Sequence, residues 1–141
     1  MYVHRTSARP VVLLGWEPSL PAPTGPARAR LRGALARAGA DRSAVDAAVL
    51  VCSELVANAH EHGHGPCELR LTLGARVCVE VLERGPGPSA GVCREARRAD
   101  LGGGRERGRG LALVDRLTAG SWGVRAVPGG GACVWARPLP D

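Results

Sequence analysis

Ser53-Glu54-Leu55-Val56-Ala57-Asn58-Ala59-His60-Glu61-His62-Gly63 sets a carboxylate and a carboxamide four residues apart in a segment patterned as a buried helix. A helix advances about 100° per residue, so with Glu54 at 0° Asn58 falls at about 40° and Glu61 at about 340°. Val45, Val49, Cys52, Val56 and Ala59 gather at roughly 140–220° by the same arithmetic. The segment predicts one buried face and, opposite it, an acid beside an amide. A carboxylate able to take a proton, one turn from an amide oxygen able to bind a hard cation, suits metal-nucleotide chemistry. The same pair on an amphipathic helix is also an ordinary solvated surface, so its meaning depends on the rest of the chain.

Working outward, Asp41 is a good N-cap for this helix, which the pattern ends at Gly63. Before it, Val11–Leu14 reads as a short strand. Pro18, Pro21, Pro23 and Pro26 form a connector, and residues 26–38 read as a helix closed by Gly39. After it, Glu68–Leu73 and Val77–Leu82 alternate polar and apolar residues around Gly74-Ala75-Arg76, a hairpin pattern. Residues 85–107 are rich in Gly, Pro and Arg, and only Cys93–Ala99 hints at a helical turn or two. Leu111, Leu113, Val114 and Leu117 mark a short helix, and Gly123–Val127 with Ala132–Ala136 a closing hairpin around Pro128-Gly129-Gly130-Gly131. Strands cluster instead of alternating with helices. The expected fold class is therefore an α/β (α+β) two-layer sandwich, with a mixed, mostly antiparallel sheet and helices on one face.

The 141 residues suffice for one domain with a core and are too few for two, so residues 1–141 are read as a single domain. With one Tyr, no Phe, no Ile and no Lys, the core must rest on Leu, Val, Ala and three Trp. All 19 basic residues are Arg, a skew that fits GC-rich codons more than a function. The net charge of +6 suits phosphates, nucleic acid or an acidic protein, but the arginines are spread out and no aromatic-basic nucleic-acid motif occurs. The reading is no direct nucleic-acid binding. Five Cys without a C-x-x-C pair or a signal peptide read as buried thiols of a cytoplasmic protein, and no apolar run reaches membrane-span length.

Two further segments carry chemistry. Val77–Gly87 runs as a strand that ends in Glu83 and then in Gly85 and Gly87. Glycines there let backbone approach a flat ligand, and a strand-end carboxylate can accept a hydrogen bond from an exocyclic amine; the bland reading is a turn. Gly108-Arg109-Gly110-Leu111 places two glycines at a helix start, where unpaired N–H groups and the helix dipole favour an anion. His60, His62 and His64 alternate, but on a helix His60 and His62 point about 200° apart, which argues against a shared metal.

Together, in this order, the three segments resemble the N, G1 and G2 boxes of the Bergerat-fold (GHKL) ATPases, which include gyrase, the large heat-shock chaperones, mismatch-repair proteins and sensor histidine kinases. Glu54-Leu55-Val56-Ala57-Asn58-Ala59 with His62-Gly63, and Gly108–Asp115 followed by Trp122-Gly123-Val124 and Val134-Trp135-Ala136, are most similar to the small branch of anti-sigma factor serine/threonine kinases. The resemblance spans roughly residues 10–138. It implies the Bergerat ATP-binding fold with an ATP lid over about 88–107. It implies ATP and Mg²⁺ as cofactors, with Asn58 binding Mg²⁺ through its side-chain oxygen and Glu54 as general base. Glu83, Gly85 and Gly87 would serve the adenine. Gly108, Gly110 and Leu111 would offer N–H groups to the phosphates, with Arg105 and Arg109 beside them.

The implied function is to sequester a sigma factor and phosphorylate a Ser or Thr of a STAS-type anti-sigma antagonist, as a monomer or a homodimer. The alternative is a catalytically silent binding module of the same fold. A sensor histidine kinase fits less well, because no helix with a phospho-accepting His precedes the domain. Two residues depart from the family pattern: Glu83 stands where Asp is usual, and Cys133 lies near the usual Thr that supports the adenine contact.

Overall fold

The computed structural model describes residues 9–62, 65–84 and 106–139. Strand β1 (Val11–Trp16) leads to helices α1 (Thr24–Arg37) and α2 (Arg42–His62). The hairpin β2 (Cys67–Leu73) and β3 (Val77–Arg84) follows, then α3 (Glu106–Thr118) and the hairpin β4 (Trp122–Ala126) and β5 (Gly131–Ala136). The strands form one sheet in the order β1-β2-β3-β5-β4, and every described pairing is antiparallel. The expected α+β two-layer architecture is present, and the described sheet is antiparallel throughout, not mixed. The helical turn expected at 93–99, Cys93, His64 and the lid up to residue 105 lie outside the described residues.

Alternation sorts the sheet into two faces. Leu69, Leu71, Val79 and Val81 turn inward and join Leu31 and Leu35 of α1, Val51, Leu55 and Val56 of α2, and Val114 of α3 in one buried cluster. All three helices therefore lie on one face. On the other face Arg70 binds Glu68 through Nε and Nη2 at 3.1 and 2.8 Å, and Arg125 Nη2 donates to Glu80 Oε2 at 2.7 Å.

The junction between α1 and α2 is tightly bonded. Gly39, at φ +82°, donates to the Ala36 carbonyl, and Ala40 reaches back to the Leu35 carbonyl, both at 3.0 Å. These two bonds form a Schellman stop, which needs the left-handed conformation that glycine adopts without strain. Two residues later the Asp41 carboxylate accepts the Ala44 N–H at 3.0 Å, as the expected N-cap should. At the far end, α3 is tied to β4 where Trp122 Nε1 donates to Asp115 Oδ1 at 2.9 Å.

Strand β5 begins at Gly131, whose φ is +101°. A β-carbon there would run into the Glu83 carbonyl oxygen and come within 2.9 Å of Arg84 Cα. Gly131→Ala should therefore lower the unfolding free energy by at least roughly 2 kcal/mol in urea titration. Gly129→Ala, at φ +92° but facing open space, should cost less; equal losses would show that the close approach to β3 contributes nothing.

Candidate functional site

The inward parity of β3 carries past Val79 and Val81 to Glu83, which is 7% exposed. Its ladder partners are Cys67 of β2 and Ala132 of β5. Burial pushes the Cys67 thiol up to about 11, and the Glu83 carboxylate beside it adds to the shift. A buried acid thus sits at the strand end, on the same face as the helices.

Helix α2 ends at His62, five residues before Cys67, so its last turns stand at the same end of the molecule as Glu83. Its outward side exposes Leu50, Ala57 and Glu61, whereas Glu54 and Asn58, between them, are half-buried. What covers Glu54 is α3. A β-carbon on Gly110 would collide with Glu54 Oε1 and lie 3.5 Å from its Cδ. The absence of a side chain at position 110 is what lets the Glu54 carboxylate and the α3 backbone share this space.

The three expected segments therefore converge: an acid and an amide on α2, a buried acid at the end of β3, and the start of α3. Glu54 and Gly110 are in direct proximity. Gly85, Gly87 and Arg105 lie outside the described residues, and the same holds for the side chain of Arg109.

Two expectations change in detail. Helix α3 starts at Glu106, two residues before the first glycine, so residues 106 and 107, expected in the lid, are helical. In an α-helix beginning there, the N–H groups of 106, 107 and 108 are the unpaired ones. Those of Gly110 and Leu111 close the helical ladder, and Leu111 is 7% exposed within the core. Gly108 lies in the first turn, where N–H groups are unpaired; Gly110 leaves room for Glu54. The second change concerns Cys133. It pairs with Leu82, not Glu83, and so projects from the opposite face of the sheet. The residue across from Glu83 is Ala132, which sequence reasoning missed. Matching the core-facing valines, Val81 with Val134, would have revealed it.

The donor set fits a nucleotide-bound divalent cation. Asn58 supplies a hard amide oxygen one turn from a carboxylate, and Gly110 leaves the room in which that carboxylate stands against α3. Among the described residues no cluster of three or more His, Cys, Asp and Glu could hold a metal ion. No helix among them is long and apolar enough to cross a membrane.

Comparison with known families matches the chain to the histidine kinase-like ATPase domain over residues 18–137. No curated protein matches the chain.

The contact between α2 and α3 is directly testable. Gly110→Ala should destabilise the fold by about 1–3 kcal/mol through overpacking. In a Glu54→Ala background that penalty should shrink by more than half, because the group it strikes is gone. Additive losses in denaturation would rule out the proposed contact.

Proposed function

The chain belongs to the histidine kinase-like ATPase domain family, and from that premise we propose that it is an anti-sigma regulatory kinase. It binds ATP, holds a sigma factor, and phosphorylates a Ser or Thr of a STAS-type antagonist. The observation that carries this reading is the seat of the Glu54 carboxylate against Gly110, which joins the acid of the first box to the glycines of the last.

The roles follow from the chemistry of each group. Glu54 accepts the proton of the attacking hydroxyl, a task that asks for a carboxylate at the phosphate end and no unusual acidity. Asn58 would hold the Mg²⁺, which would supply neutralising charge for the phosphates. The N–H of Gly108, among the unpaired donors at the start of α3, serves anionic oxygen, and Arg105 and Arg109 supply cationic charge to the phosphates. Glu83 receives the exocyclic amine of adenine at the buried strand end, with Gly85 and Gly87 beside the ring. The protein acts in the cytoplasm, alone or as a homodimer.

One observation favours the second reading, a silent binding module. Ala132 offers no hydroxyl next to Glu83, so the adenine contact rests on a single carboxylate. Both readings predict the same fold and differ in phosphoryl transfer.

With radiolabelled ATP, Mg²⁺ and a STAS-domain antagonist, the native protein should label the antagonist, and Glu54→Ala should cut the rate about 100-fold or more. Absence of label, together with undetectable ATP binding by calorimetry, would eliminate the kinase. Separately, Glu83→Gln should weaken ATP binding about tenfold, the loss expected when a charged acceptor becomes neutral; unchanged affinity would remove Glu83 from the adenine pocket.

A further inference from the structure

The outer face of the sheet holds a second concavity, away from the nucleotide end. It has a volume of about 430 Å³ and is lined by Thr72, Ala75, Arg76, Cys78, Glu80 and Arg137. That volume falls within the range of small-molecule sites. Its floor is Glu80, 8% exposed. Glu80 Oε2 is held by Arg125, but Oε1 is buried with no hydrogen-bond partner among the described residues. A buried acceptor left without a donor costs stability, and on a residue that lines a cavity it marks where a donor belongs once the side chain turns toward a ligand.

Two cations stand at the rim. Arg76 Nη2 donates to the carbonyls of Arg137 and Pro138 at 2.8 and 3.2 Å, which fixes the guanidinium and leaves Nε and Nη1 without partners among the described residues. Arg137 lies over the Trp135 ring, 4.7 Å from its centroid, and forms no ion pair among the described residues. Stacking holds that guanidinium in place without consuming its donors. The negative charge of Glu80 is already matched by Arg125, so the cavity as a whole is cationic.

The chemistry is specific in its count: two pre-positioned guanidiniums for anions, and one carboxylate oxygen without a donor on the same lining. We propose that this cavity binds an amino dicarboxylate of the aspartate or glutamate class. Its two carboxylates engage Arg76 and Arg137, and its ammonium donates to Glu80 Oε1. The site lies on the opposite face of the sheet from Glu83 and is independent of the nucleotide reading, so failure of either leaves the other standing.

Calorimetry on the full chain tests this with L-aspartate and L-glutamate as probes, beside N-acetyl-aspartate, which keeps both carboxylates but loses the ammonium. One of the amino acids should bind saturably, and the acetylated form about tenfold more weakly. Arg137→Gln and Arg76→Gln should each weaken binding about tenfold or more, and both are surface changes that leave the Glu80–Arg125 pair intact. Glu80→Gln should abolish the preference for the free ammonium. No saturable binding of either amino acid at roughly 10 mM, a concentration that reveals even millimolar affinities, would overturn the proposal. Equal affinity of the native protein and Arg137→Gln would overturn it too, as would equal affinity for aspartate and its acetylated form.

Discussion

The carboxylate of Glu54 occupies space that a side chain on residue 110 would need, and much of the molecule is arranged around that concession. It fixes how closely α3 approaches α2. Both helices pack into the same core above β2 and β3, so the separation of the two helices also sets where the start of α3 lies relative to the end of β3. A half-buried carboxylate and a glycine far from it in sequence thereby become one structural unit. The half-burial of Glu54 follows from this packing and not from the local helix, which by itself leaves that side open.

The sheet separates two kinds of chemistry with the simplest available device, the alternation of a strand. Within β3, Val79, Val81 and Glu83 face the helices, while Cys78, Glu80 and Leu82 face away. Two buried acids three residues apart therefore serve different environments. Glu83 closes the interior at a strand end. Glu80 anchors a charged outer layer with Arg125. Burial lifts Cys52 and Cys133 to about 12, so both stay protonated and behave as small apolar groups.

Much of this was readable from the sequence. The period of α2, its Asp41 cap, the Gly39 stop and both hairpins follow from local rules, and local geometry obeys them. The pairing of Glu54 with Asn58 also survives, because it depends only on helical pitch. What escaped depends on contacts between distant segments. Nothing near Gly110 indicates that its role is to clear space for Glu54. The start of α3 escaped because glycines inside a helix look like glycines before one. The register between β3 and β5 decides whether Ala132 or Cys133 faces Glu83, and a shift of one residue exchanges the faces. Placing Cys133 beside Glu83 is such a one-residue error.

The joint between α1 and α2 has a mechanical consequence. Only four residues separate the helices, and the Schellman stop and the Asp41 cap occupy the backbone groups at which a hinge would bend. Rotation there would break several hydrogen bonds at once, so the two helices form a stiff elbow. The arginines of α1, exposed at positions 28, 30, 32 and 37, form the outer arm of that elbow, and the inner arm carries Glu54 and Asn58. A load applied to the arginine-rich arm is delivered to the helix that holds the acid and the amide, with little lost to bending between them.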